Sequence, residues 1–319
     1  MSSFYAGKIV TVTGASGLVG SYIVKDLVEK GARVRGILHN RPPNDYSKLA
    51  SELVTADLTT EAGAREAVKG SEIVVHAAGI TGGVPLAVND PGAFVAPNAV
   101  IISQVVHACA KERVERLGFL SSTTVYPPLD RPVREEDAWT GEPYRMYYGI
   151  GWVKRFAEKI CKYYGDSYGL KVAIVRPSGA YGRYDTFDET TGHVLPSFIK
   201  RALSTDDRFL VWGDGSDVRD FLHSSDLANG ALLCVEKHPT CDPINIASGE
   251  PTTTKELAEL VLEVVGSKAK PAFDPSKPAA LKSRTVDISK ARQILGYEPK
   301  VSLRDGVADT VEWYRNQLR

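Results

Sequence analysis

Glycines 14, 17 and 20 are the first residues in this 319-residue chain whose spacing implies chemistry. They fall in Thr13-Gly14-Ala15-Ser16-Gly17-Leu18-Val19-Gly20, between a β-branched run from Ile9 to Val12 and an amphipathic stretch that begins at Leu18. A strand, a glycine turn and a helix in that order suit a dinucleotide pyrophosphate. Glycine is needed for the tight turn, for close approach of backbone to phosphate, and for packing of the helix on the strand. Ser16, Leu18 and Val19 belong to the same cradle, where N–H groups at the helix start face the anion.

The second β-branched run ends in His39-Asn40-Arg41 and carries no Asp or Glu to bind a ribose 2′-hydroxyl. Arg41, with His39 and Asn40 beside it, could instead fork a 2′-phosphate. NADP is therefore the expected cofactor, with NAD left open. Asp57 and Leu58 are placed on the adenine side, and Ala77-Ala78-Gly79 supplies small residues after His76 where a cofactor must pass closely. Cys109, Cys161, Cys234 and Cys241 form no C-x-x-C pair, and the six histidines show no ligand spacing. No metal site and no disulfide framework is expected, only free thiols in a reducing cytoplasm.

The elements that must position these residues follow from periodicity. Candidate strands run Ile9 to Val12, Val34 to Leu38, Ile73 to His76, Leu117 to Ser121 and Val172 to Val175, alternating with helical patterns at Leu18 to Lys30, Glu61 to Val68, Asn98 to Arg113 and Val153 to Tyr164. This predicts an α/β fold: a Rossmann-type, doubly wound parallel sheet in residues 1–180, to which later segments return. Residues 181–319, where the alternating pattern loosens, read as a smaller C-terminal α/β lobe for substrate, with short strands at Phe209 to Trp212 and Ile244 to Ile246. Helices are expected there at Ser225 to Glu236, Lys255 to Val265 and Leu303 to Asn316, and Pro271 to Pro278 reads as a surface loop. With 39 basic and 39 acidic residues, 43% hydrophobic content and no run of eighteen apolar residues, neither a nucleic-acid nor a membrane partner is expected.

Taken with these features, further motifs resemble the extended short-chain dehydrogenase/reductase superfamily, in its branch of NAD(P)-dependent nucleotide-sugar 4-epimerases, 4,6-dehydratases and epimerase-reductases of the GDP-fucose synthase type. The motifs are His76-Ala77-Ala78, Asn98, Ser121-Ser122-Thr123-Thr124-Val125-Tyr126, Arg176-Pro177, Gly182, Arg219-Asp220-Phe221-Leu222-His223 and Asp226-Leu227-Ala228. Asp287 to Ala291 and Leu295 to Pro299 are similar to that branch's C-terminal signature.

The resemblance implies a Tyr acid/base four residues before a Lys, and a Ser or Thr hydroxyl on the preceding strand. Ser122 matches the hydroxyl and Lys154 the lysine, but the tyrosine position holds Ile150. Either an irregular backbone brings Tyr148 or Tyr147 into that place, or the tyrosine is lost. His193, in Gly192-His193-Val194-Leu195-Pro196, is similar to the epimerisation histidine of GDP-fucose synthases, as acid/base or substrate contact, although their partner cysteine aligns with Thr124. The resemblance further implies Pro177 beside the cofactor, Thr123, Thr124, Ser178 and Tyr181 near the sugar, and Arg219 with Arg284 on the diphosphate. Asn98 reads as a bridging residue. The activity so implied is a nucleotide-sugar epimerase working by transient oxidation at sugar C4. The alternatives are an NADPH-dependent 4-keto-sugar reductase and a non-catalytic dinucleotide-binding protein. The partner is a nucleoside-diphosphate sugar, and a homodimer through the Asn98 and Lys154 helices is implied.

Overall fold

The computed structural model of the chain describes residues 3–82, 89–90, 92–188, 192–204, 208–276 and 281–319. The apolar runs of the first half pair in parallel: β1 (Ile9–Thr13), β2 (Arg33–Leu38), β3 (Glu52–Thr55), β4 (Ile73–His76), β5 (Arg116–Leu120) and β6 (Lys171–Pro177). With β10 (Ile244–Ile246) they form one seven-stranded sheet in the order β10-β6-β5-β4-β1-β2-β3. Strands buried on both faces read as continuous apolar runs, and β6 illustrates why: Val172 and Ile174 enter one core while Ala173 and Val175 enter the other. The edge strand β3 escaped the periodicity because Glu52, Leu53 and Thr55 are exposed.

Helices α1 (Leu18–Glu29) and α6 (Ser224–Lys237) cover one face of the sheet, where Ile23, Val24 and Leu27 meet Leu227, Ala231 and Val235. Helices α2 (Glu61–Val68), α3 (Ala96–Lys111) and α4 (Tyr148–Tyr168) cover the other, around Val105, Val106, Ala157 and Cys161. Gly169, in the left-handed region at φ 71°, ends α4.

The smaller lobe joins β8 (Arg208–Trp212) to β12 (Lys270–Asp274), and β9 (Val218–His223) to β7 (Gly179–Tyr181), β11 (Pro251–Thr253) and β13 (Ser283–Arg284). Over these pack α5 (Val194–Ser204), α7 (Thr254–Val265) and α9 (Leu303–Gln317), with Phe198, Phe209, Leu257 and Val307 in a separate core; α8 (Ser289–Leu295) lies between. The loop expected from Pro271 onward is instead strand β12 as far as Asp274. It pairs with β8 in register Pro271 to Phe209, and Phe273 packs on the lobe's core. A proline is tolerated there because β12 is an edge. Residues 277 and 278 of that stretch lie outside the described residues. Among the described residues no helix is long and apolar enough to cross a membrane.

Candidate active site

A single cleft of about 1550 Å³ opens at the carboxyl ends of the sheet strands and extends into the smaller lobe. Sites for one ligand commonly occupy roughly 300–1,000 Å³, so there is room here for two. At one end, the turn expected to hold a pyrophosphate has the required geometry. Gly14 lies at φ 67°, and a Cβ on it would come within 2.9 Å of Ala78 Cα, so only glycine lets the turn lie against the end of β4. Gly17 caps α1 without a side-chain hydrogen bond, and no acidic residue stands in the first turn. The N–H groups of that turn are therefore left for an anion, and the residues present fit a dinucleotide.

Gly14, Ser16, Gly17, Leu18, Val19 and Gly20 line this end of the cleft, together with His39, Asn40 and Arg41 beyond β2. Asp57, Leu58, Ala77, Ala78, Gly79 and Pro177 border the same cavity. Arg41 reaches across it: Nη1 donates to Tyr184 O at 2.9 Å and Nη2 to Thr186 Oγ1 at 3.2 Å. Asp57 turns its carboxylate onto Thr59, accepting from its N–H and hydroxyl.

Deeper in, Lys154 Nζ donates to Leu120 O at 2.8 Å and lies 5.0 Å from the centroid of the Phe119 ring. Burial pulls its pKa down to about 8, against the pull of Glu158 one turn away. His76 lies near enough for the Lys154 charge to act on it; burial, helped by that charge, pushes its pKa down to about 3. Ser122 accepts at Oγ from Thr124 N–H (3.1 Å), which leaves its own hydrogen free to be donated.

No bulge interrupts α4 between Tyr148 and Lys154; the irregular backbone is a 3₁₀ turn, Arg145–Tyr147, just before it. Ile150 therefore keeps the Lys154 face and lines the cleft, while Tyr148, rotated by about 120°, is half exposed and packs against Trp152 at the rim.

At the far end, β9 and β13 set Arg219 and Arg284 directly opposite each other. Arg219 donates to Val218 O and, at 3.5 Å, to Asp217. Arg284 donates to Thr123 Oγ1 (2.9 Å), with its guanidinium 4.8 Å from the Tyr147 ring centroid. Among the described residues the Thr124 hydroxyl is buried without a hydrogen-bond partner. Ser178 is engaged by Asp220 at 2.7 Å, and Asn98 bridges Ile80 to Phe94. His193 Nδ1 is 3.2 Å from Asp185 Oδ1.

Two features were not legible in the sequence. Asp185 lies eight residues before His193, in a loop without periodicity. Beneath Ser122, a buried ion pair joins Arg176 of β6 to Glu158 of α4. Its side chains are 1% and 5% exposed, and it is extended by the hydroxyls of Ser121 and Tyr126.

The sequence pattern of the NAD-dependent epimerase/dehydratase family matches residues 10–247. The chain is 34% identical over 314 residues to the putative GDP-L-fucose synthase 2 of Arabidopsis thaliana, covering 96% of this chain and 91% of that protein. It is 31% identical to the dTDP-4-dehydro-6-deoxy-D-allose reductase of a Streptomyces species, covering 99% and 98%. Its fold is similar to the crystal structure of the UDP-glucose 4-epimerase of Thermotoga maritima with UDP-glucose, at a TM-score of 0.86 and 26% identity, covering 98% and 100%.

Proposed function

The chain belongs to the NAD-dependent epimerase/dehydratase family of nucleotide-sugar enzymes, and from that membership we propose that it is an NADPH-dependent reductase of nucleoside-diphosphate 4-keto-sugars. The observation that carries this reading is what stands beside Lys154. Ile150, not a phenol, occupies its helix face, while the same cleft holds an imidazole paired with a carboxylate. Epimerisation by transient oxidation needs a group that takes a proton from an alcohol and later returns one to the opposite face's product. Reduction needs only an acid, and the Lys154 ammonium and the Asp185-paired His193 are both acids. The basic end of β2 favours the phosphorylated dinucleotide.

When bound, the reduced nicotinamide supplies the hydride that reaches the carbonyl carbon. Lys154 would hold the nicotinamide ribose, and its ammonium favours negative charge nearby. Ser122 donates its free hydrogen to the carbonyl oxygen and orients it. His193 passes its proton to that oxygen, which becomes the hydroxyl of the product alcohol. Arg219 and Arg284 take the diphosphate, and Thr123, Thr124 and Ser178 border the sugar. Tyr148, at the rim, is assigned a sugar contact rather than proton exchange.

Purified protein given a panel of nucleoside-diphosphate 4-keto-sugars is expected to oxidise one NADPH per product and to carry no dinucleotide through purification. Conversion without net NADPH loss, by protein that arrives with its own dinucleotide, would establish the epimerase instead. No turnover of any member would leave the non-catalytic reading. Ile150→Tyr separates a complete site from a damaged one: turnover should stay within about threefold, whereas a gain of about 10²-fold, the lower range for an acid/base group, would mean that the missing phenol was the proton donor.

A further inference from the structure

We propose that Asp185 is the positioning residue for His193: it fixes the imidazole with Nδ1–H turned inward and Nε2 left as the atom that exchanges protons in the cleft. The proposal rests on the reading of His193 as proton donor and adds how the ring is held.

The loop carrying Asp185 is tied from both lobes. On the side of the sheet, Arg41 bonds to the residues on either side of it, Tyr184 and Thr186. On the side of the smaller lobe, Arg183 is ion-paired with Asp309 of α9, while its N–H is bonded to the hydroxyl of Tyr22 on α1. The Tyr184 ring is wedged edge-on between Tyr46 and Trp313, each centroid 5.2 Å away. The return of the chain is equally constrained. Gly192 N–H donates to Asp188 O at 2.8 Å, and a Cβ on Gly192 would collide with the carbonyls of Thr186 and Asp188. The next residue, His193, is thereby brought back against Asp185.

Asp185 Oδ1 accepts from Thr186 N–H at 2.7 Å and faces His193 Nδ1 at 3.2 Å. An ionised carboxylate only accepts, so Nδ1 must be the donor. The Asp185 side chain is 4% exposed and that of His193 is 38% exposed, so the carboxylate is held within the wall while the ring reaches the cleft. Among the described residues Asp185 Oδ2 is buried with no hydrogen-bond partner, which leaves the imidazolium as the neutralising charge of this carboxylate. Burial alone would lower the His193 pKa, and the hydrogen bond and charge of Asp185 outweigh it, so the ring stays above its ordinary value. Among the described residues Asp185 is the titratable group that acts on His193 in this way.

The test follows ring resonances of the full chain by NMR through a pH titration, with His193 assigned from His193→Gln. In the cofactor-free wild type, the His193 midpoint is expected above that of free histidine. In Asp185→Asn it is expected to fall by about one pH unit, and the alkaline limb of the kcat/KM profile should move down with it. The KM for NADPH should not change, and Asp185→Glu should restore the raised midpoint. A wild-type midpoint at or below that of free histidine overturns the proposal, even if Asp185→Asn fails to fold. Loss of turnover in His193→Gln with an unmoved midpoint in Asp185→Asn overturns this proposal alone. Full turnover in His193→Gln overturns the functional reading and this proposal together.

Discussion

Lys154→Met is expected to lower turnover by about 10³-fold, within the range spanned by single acid/base groups, while the melting temperature stays the same or rises. The two halves of that expectation come from the same burial. Lys154 holds its ammonium in the cleft wall with one carbonyl partner, Leu120 O, and an aromatic face. Moving such a charge out of water costs several kcal/mol, roughly, and the cost appears in its lowered pKa. An unbranched thioether fills nearly the same volume without that cost. What it cannot do is hold a ribose hydroxyl or favour negative charge on a reacting oxygen. Steady-state rates with saturating NADPH, beside a thermal melt, check both halves. Turnover within tenfold of wild type would remove Lys154 from the chemistry.

Arg176→Met acts in the opposite sense, on stability. The guanidinium is 1% exposed and makes two bonds to the Glu158 carboxylate, at 2.9 and 2.6 Å, with further bonds to the Tyr126 hydroxyl and Glu135 O. Removing it leaves the Glu158 charge in a dry interior with the Ser121 hydroxyl as its remaining side-chain hydrogen bond and the Lys154 charge one turn away. Breaking a buried pair from one side costs about 3–5 kcal/mol, a large share of the roughly 5–15 kcal/mol that holds a typical domain folded. The double variant with Glu158→Gln should recover part of the loss, because no unpaired charge remains. Urea unfolding of the three proteins gives the comparison, and a single-variant loss below about 1 kcal/mol would contradict it. Because Ser121 precedes Ser122, the pair also fixes the strand end that carries the proposed hydroxyl.

The two kinds of feature differ in how far they could be read from the chain. Strands β1, β2, β4, β5 and β6 were legible because their buried positions write short apolar runs into them, as in Ile73-Val74-Val75 of β4, and α1 because its apolar stripe follows a glycine turn. The helical phase around Lys154 was legible only in part: the residue count separates Tyr148 from Lys154 on a regular helix, but that the helix is regular there is a finding of the structure. Asp185 was not legible. Its meaning depends on a tight return at Gly192 and on Arg41, distant in sequence and belonging to the other lobe. Glu158 looks like any helix-surface carboxylate until β6 brings Arg176 beneath it. Strand β12 was hidden by its proline, and β3 by the polarity of a sheet edge.

The path of the chain through the sheet has a consequence for recombination between relatives. It leaves the sheet at the end of β6 and does not complete it until β10, beside β6, where Ser178 N–H bonds to Ile246 O. In between it also lays α6 against α1. Residues 178–243 are thus an excursion anchored at both ends, not a tail. A gene fragment stopping near residue 180 would encode a sheet with a bare edge and one face covered by α1 alone. A crossover meant to exchange specificity has to carry both anchoring points, the end of β6 and the whole of β10, as one cassette.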